Sequence, residues 1–156
     1  MGVHASGHID EFVHREGKTL MKLGVVPNKD SVGPAIKNDS FVFYNPAMSR
    51  SRTRRVLLMQ YAIENNLLGN GVIYAVDGLS ASGLRARRWL NELPSESAKR
   101  IRATMIDMDP VALEWALKNH EEYPPNHNQG ELRAVNGDLR SAILSQGWHW
   151  VDIDPY

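Results

Sequence analysis

Between Ser51 and Ile153 the apolar positions change spacing repeatedly, and the changes mark out alternating helices and strands. From Ser51 onward, Val56, Leu57, Met59, Tyr61, Ala62, Ile63 and Leu67 supply an apolar helix face, with Gly69 as its C-terminal stop. Val72 to Val76 then predicts a strand, Ser82 to Leu93 a helix and Ala103 to Ile106 a second strand. Asp109 caps a helix that starts on Pro110 and ends before Pro124-Pro125, a placement that suits both residue types. Leu132 to Val135 is a third strand, Leu139 to Gln146 a further helix closed by Gly147, and His149 to Ile153 a fourth strand. Alternation of this kind defines the α/β class, a parallel sheet with helices on its faces that binds ligands beyond the carboxyl ends of the strands.

Upstream the pattern is different. Residues 1–15 are small, polar and histidine-bearing and are expected to form a flexible terminus, with order starting near Glu16-Gly17-Lys18. Residues 16–50 are expected to form a small β-containing extension: TLMKLGVV as a strand, a loop with Pro27, Asn28, Gly33 and Pro34, and Phe41 to Tyr44 as a second strand stopped by Asn45-Pro46.

Composition narrows the picture. The 156 residues, 42% hydrophobic, suffice for one domain with a core but not for two. Eighteen basic and eighteen acidic side chains cancel, so contact with nucleic acid has to come from a local patch. The absence of cysteine excludes disulfides, thiolate metal sites and cysteine nucleophiles. No apolar run approaches the roughly 18 residues of a membrane helix, and MGVHASGHIDEF lacks the layout of a signal peptide, so a cytoplasmic protein is expected. Of six histidines, His4 and His8 have helical spacing but lie in the expected loose terminus, and no metal site is predicted.

VDGLSASGLRARR follows the first strand of the alternating part and opens a helix, the context of a nucleotide-binding loop. It lacks G-x-G-x-x-G and so suits a pyrophosphate poorly. A phosphate-free cofactor with an adenosine and an amino-acid tail fits better, with Asp77 meeting the amine, and the helix start at Gly83 and Arg85 meeting the carboxylate. S-adenosyl-L-methionine is such a cofactor. Asp107 ends the second strand at a distance suited to ribose hydroxyls, and Asp138, after the third strand, can take the adenine amino group. Each acid also has a structural reading: Asp77 and Asp138 as helix caps, Asp107 as a turn residue.

The fourth strand ends in Asp154-Pro155-Tyr156. An exocyclic amine on a base is a poor nucleophile because its lone pair is delocalised into the ring. Asp154 and a carbonyl near Pro155 can accept its two N–H bonds and aim the lone pair at a methyl carbon, while Tyr156 stacks on the base. Asp154 can also take the proton that is released. A plain strand-to-loop turn is the alternative. Arg50, Arg52, Arg54 and Arg55 fall within six positions, and Arg85, Arg87 and Arg88 follow the loop. They suit phosphate contacts to RNA or, alternatively, solvated helix faces, with Arg52 also a candidate for the cofactor carboxylate.

The segments EGKTLMKL, FVFYNPAM, VDGLSASGLRARR, IDMDPVALEWALKNH and VDIDPY, in this order, resemble the N-terminal part of the tRNA (guanine-26-N2)-dimethyltransferases. The resemblance implies a class I S-adenosylmethionine-dependent methyltransferase, a Rossmann-like parallel sheet, with the chemistry of placing one or two methyl groups on guanine N2 in tRNA. By position it implies cofactor contacts at Arg52, Arg85, Asp107, Asp138 and Leu139, a catalytic acid at Asp154, and Phe43 and Tyr156 as aromatics around an extruded guanine. Two positions depart from the pattern. Ser51-Arg52-Thr53 stands where Asn-Arg-Asp is usual, which keeps the arginine and loses expected neighbours, and Tyr156 replaces a phenylalanine.

The resemblance also implies further strands and a C-terminal tRNA-holding domain, so residues 51–156 are expected to be the first half of the catalytic domain. The fold is then incomplete and the chain inactive and poorly soluble by itself. Three alternatives stay open: a methyltransferase for adenine N6 or glutamine, a noncatalytic RNA-binding remnant and, least favoured, a nicotinamide dehydrogenase. Oligomeric state is not readable from these residues.

Overall fold

The computed structural model describes residues 12–23, 42–126 and 130–155. An antiparallel hairpin comes first, β1 (Phe12–Glu16) and β2 (Thr19–Leu23), paired from Phe12↔Leu23 to Glu16↔Thr19. Phe12–Arg15, expected to belong to a flexible terminus, are thus part of a paired strand. The loop of Pro27, Asn28, Gly33 and Pro34 lies outside the described residues, as does Phe41. Val42–Asn45 form no strand. Asn45 instead caps a 3-10 turn (Pro46–Met48) by accepting from Ala47 N at 2.9 Å, and that turn leads into α1 (Ser49–Glu64).

The alternating part follows: β3 (Ile73–Gly78), α2 (Leu84–Glu92), α3 (Ser95–Ala98), β4 (Ile101–Asp107), α4 (Pro110–Glu122), β5 (Glu131–Asn136), α5 (Leu139–Ala142) with a 3-10 turn at Ile143–Ser145, and β6 (Trp150–Ile153). Ends differ from the sequence pattern by a residue or two, except that the last helix is much shorter than predicted. Asp109 caps α4 as expected, accepting from Val111 N and Ala112 N.

The four later strands make one parallel sheet in the order β5-β4-β3-β6. The chain steps outward from β3 to β4 to β5 and then returns across both to pair β6 with β3, Ala75↔Trp150 through Gly78↔Ile153. With right-handed crossovers the outward steps put α2 and α4 on one face and the return puts α5 on the other. The packing agrees: Ile73, Ala75, Ala103 and Met105 meet Trp89 and Ala116 in the main core, whereas Leu139 lies against Gly78.

α1 joins the first face through Val56, Met59 and Ile63. Leu57, Tyr61 and Leu67, read from the sequence as part of its apolar face, are exposed, because the stripe facing the core is set by positions 52, 56, 59 and 63. The hairpin packs Met21 and Leu23 against Leu84 and Tyr44. Its backbone is tied to α2 and α4 by Arg87 Nη2 to Leu20 O (2.6 Å), Lys22 N to Asn119 Oδ1 (2.6 Å) and Trp115 Nε1 to Lys22 O (3.2 Å). The hairpin is therefore built into the domain wall. No described helix is long and apolar enough to cross a membrane.

Candidate active site

The order reverses at β3, between β4 and β6, and a crevice at the carboxyl ends of the strands is expected there. A cavity of about 550 Å³ occupies it, within the range of pockets that hold small molecules. Leu79–Ser82 line it from the end of β3, Asp107 and Asp109 from β4, Asp154 and Pro155 from β6, and Phe43, Tyr44, Asn45 and Arg52 from the segment before and within α1.

The loop after β3 turns without a glycine-rich motif. Leu79 (φ +57°) and Ala81 (φ +44°) adopt the left-handed conformation that glycine would take at no cost, each strained by roughly 1–2 kcal/mol. Asp107 holds this loop by accepting from Ala81 N at 2.7 Å, and its other oxygen accepts from Asp109 N at 3.0 Å. The turn reading and the lining position therefore coexist in Asp107. Gly83 (φ +63°) does not line the cavity; a side chain there would overlap Met105 and approach Ala116 Cβ at 2.8 Å, so glycine lets α2 pack onto β4 and α4.

Arg85, the second residue of α2, reaches three carboxylates: Asp77 Oδ1 at 2.6 Å, Asp154 Oδ2 at 3.0 Å and Asp152 Oδ1 at 3.7 Å. Asp77 is fully buried and does not line the cavity; its second oxygen accepts from Ala86 N at 3.1 Å. It stands behind Arg85 and orients it. Burial pushes the Asp77 carboxyl up to about 6, with Arg85 and the Ala86 N–H pulling against burial.

Asp152 on β6 and Asp154 just past its end are two positions apart, and Arg85 reaches both. Asp152 is buried, and its Oδ1 accepts from Arg55 Nε at 2.7 Å; Arg55 Nη1 lies 3.8 Å from Asp154 Oδ2. Arg55 is thus engaged at the strand end, a different placement from the RNA contact expected of it. Arg50 and Arg54 are exposed on α1, near the cavity-lining Met48 and Arg52.

Arg52 lines the cavity but its fork is taken by Glu16, Nε to Oε1 at 2.7 Å and Nη2 to Oε2 at 2.6 Å. Asn45 O accepts from it at 3.0 Å, and its guanidinium lies over the Tyr44 ring at 5.2 Å. Ser51 and Thr53 do not leave it loose, because Glu16 supplies the hold. Glu16 also accepts from Arg88 at 2.8 Å and from Tyr44 at 2.9 Å. Burial opposes the Glu16 charge, but Arg52, Tyr44 and Arg88 outweigh it and leave the carboxyl below its usual value.

The three arginines of α2 have no solvated face: Arg87 and Arg88 are 0% and 1% exposed and Arg85 is 9%. None is available to an RNA phosphate. Arg87 donates to carbonyls of Leu20, Asn119 and Tyr123. Asp138 caps α5 and pairs with Arg140, which holds its carboxyl down to about 2; neither it nor Leu139 lines the cavity. Phe43, Asp154 and Pro155 do line it, and Tyr156 lies outside the described residues. Glu16, Tyr44 and Asp152 were not expected. Asp152 had a signal in its period-two relation to Asp154. Among the described residues, no group of three or more acids or histidines is arranged to hold a metal ion.

A parallel sheet with a reversal at β3 and a cavity edged by acids at successive strand ends defines a Rossmann-like fold of the methyltransferase kind. The profile of the family described as N2,N2-dimethylguanosine tRNA methyltransferase matches residues 18–156, and the chain belongs to that family. Among its relatives, the tRNA (guanine(26)-N(2))-dimethyltransferase of Sulfurisphaera tokodaii is 29% identical over 142 residues, 91% of this chain and 33% of that protein. The protein of the same name from Methanocaldococcus jannaschii is 29% identical over 148 residues, 93% of this chain and 36% of that protein. The tRNA (guanine(26)-N(2)/guanine(27)-N(2))-dimethyltransferase of Aquifex aeolicus is 31% identical over 125 residues, 78% of this chain and 29% of that protein. The chain spans about a third of the length of the curated relatives it matches.

Proposed function

We propose that this chain holds the cofactor and the target base for transfer of one or two methyl groups from S-adenosylmethionine to the exocyclic N2 of guanine 26 in tRNA. The observation that carries the reading is the convergence of Arg85, Asp107 and Asp154 on one cavity. Together they offer a cation for an amino-acid carboxylate, an acceptor for ribose hydroxyls and an acceptor for a base amine. The mainly apolar remainder, with Leu79, Leu84 and Ala112, suits an uncharged adenosine without phosphates.

When bound, S-adenosylmethionine supplies an electrophilic methyl carbon on a sulfonium. Arg85, with Arg52 nearby, anchors the carboxylate end, and Asp107 takes the ribose. Asp154 and the Pro155 carbonyl accept the two amine N–H bonds, fix the lone pair and give the released proton an acceptor. Phe43 and Tyr156 stack on a guanine extruded from the tRNA. Arg50 and Arg54 contact phosphate, a role no longer assigned to Arg55. Where the sequence reading expects an inactive chain, we propose slow turnover instead, because the cavity is formed although the outer edge of β6 has no partner strand among the described residues, and cofactor binding comes first among the tests.

The test is calorimetric titration of the chain with S-adenosylmethionine, followed by labelled methyl transfer to tRNA carrying guanine or inosine at position 26. Inosine lacks the 2-amino group. Binding, with label on the guanine tRNA alone, is expected; no binding, or equal label on inosine tRNA, overturns the reading. The name of the Aquifex relative makes guanine 27 the second position to assay.

A further inference from the structure

Among the described residues, the charges around Arg85 do not balance. Three carboxylates, Asp77 from β3 and Asp152 and Asp154 from β6, surround two guanidinium groups, Arg55 from α1 and Arg85 from α2. The backbone N–H of Ala86 is a further donor, but it is uncharged. Asp152 Oδ2 is buried and has no hydrogen-bond partner among the described residues. The neighbouring cation on the cavity wall cannot make up the difference, because Arg52 is matched by Glu16. Nor can the end of β4, where Asp107 and Asp109 add carboxylates to the lining. Arg85 and Asp154 both line the cavity, so the surplus negative charge lies against the space where a ligand would sit.

We propose that the Asp77–Asp152–Asp154 cluster, one positive charge short, recognises the positive charge of the methyl donor and separates it from the neutral product. The inference rests on the functional reading above. Methyl transfer to an amine breaks the C–S bond, leaves its electron pair on sulfur and forms the N–C bond from the nitrogen lone pair. The nitrogen then loses one proton. The ligand therefore changes from a sulfonium to a thioether, with the rest of it unaltered. Above about pH 6, where Asp77 has lost its proton, the cluster carries one uncompensated negative charge and favours the first form over the second, and release of the product becomes easier than release of the donor. Asp152 and Arg55, which do not line the cavity, are specificity determinants on this account, acting through the net charge behind Asp154.

The test is the ratio of affinities of the chain for S-adenosylmethionine and S-adenosylhomocysteine, measured by calorimetry for the native chain, Asp152→Asn and Arg55→Gln. Asp152→Asn removes the surplus and is expected to shift the ratio toward the neutral ligand by roughly three- to tenfold, the scale of one partly screened charge interaction. Arg55→Gln deepens the surplus and is expected to shift the ratio the other way by a similar factor. A purely structural role would move both variants in the same direction or weaken both ligands alike. If both ligands bind and the ratio stays within roughly twofold in both variants, or moves in one direction in both, the inference is overturned and the functional reading stands. If the native chain binds neither ligand, the functional reading falls and takes the inference with it. Should Asp152→Asn fail to fold, the sign of the Arg55→Gln shift decides.

Discussion

Arg52 and Glu16 are joined by two parallel hydrogen bonds across 36 residues of sequence, Nε to Oε1 at 2.7 Å and Nη2 to Oε2 at 2.6 Å. The pair locks the hairpin strand β1 to the start of α1, and Arg88 and Tyr44 close on the same carboxylate. Removing Glu16 leaves two arginines buried without this acceptor, and losses of this kind are about 3–5 kcal/mol. Glu16→Ala is therefore expected to lower unfolding free energy in urea by that amount. A loss below about 1 kcal/mol would mean that the network adds little to stability.

Gly83 has a requirement of a different kind. Its φ of +63° strains any side chain, and its closeness to Met105 and Ala116 leaves no room for one. Gly83→Ala is expected to cost roughly 2–4 kcal/mol, the sum of left-handed strain and overpacking. Thermal unfolding of this variant, of Met105→Ala and of the double variant checks the cause. The double variant should lose less than the sum of the single losses, because the missing side chain makes room for the new methyl.

These two sites show where local pattern was informative and where it was not. The strands and long helices of the alternating part were legible because their apolar spacing switches between period two and the helical period over uninterrupted stretches. Asp107 and Asp154 were legible as lining residues because the carboxyl end of a parallel strand is a fixed position in this fold class. Arg85, Arg87 and Arg88 read as phosphate contacts or a solvated face, with Arg85 also meeting a cofactor carboxylate, because formal charge does not reveal burial. Their partners, Glu16, Asp77, Leu20 and Asn119, come from other elements, and only the docked hairpin and the sheet bring them together. The same holds for Arg55, read as an RNA contact: its partner Asp152 lies on β6, nearly a hundred residues on, which returns to pair with β3.

Asp77 gives the chain a pH dependence with a definite sign. Its carboxyl is raised in the folded state from 3.8 to about 6, so the folded chain binds this proton more tightly than the unfolded chain. Between those values the unfolded state loses the proton first, and stability falls as pH rises through the window and levels off above it. The contribution is up to about 3 kcal/mol. Urea midpoints for the native chain and Asp77→Asn, measured from pH 4 to 7, test this. The native-minus-variant difference should decline with rising pH across that window; a flat difference would show that Asp77 titrates normally.

Arg85 carries the last prediction, because among the described residues it alone touches Asp77, Asp152 and Asp154 together. A lysine keeps the charge but loses the planar fork, and it cannot hold Asp77 and Asp154 while also meeting a ligand carboxylate. Arg85→Lys is therefore expected to weaken S-adenosylmethionine binding by roughly ten- to a hundredfold, the worth of a charged hydrogen bond. S-adenosylhomocysteine should weaken by the same factor, since both ligands carry the same amino-acid carboxylate and the net charge of the cluster is unchanged. Parallel titrations of the two ligands measure this directly. Equal losses place Arg85 at the shared end of the ligand, whereas a loss confined to S-adenosylmethionine would move it to the sulfonium and remove the carboxylate anchor from the proposed site.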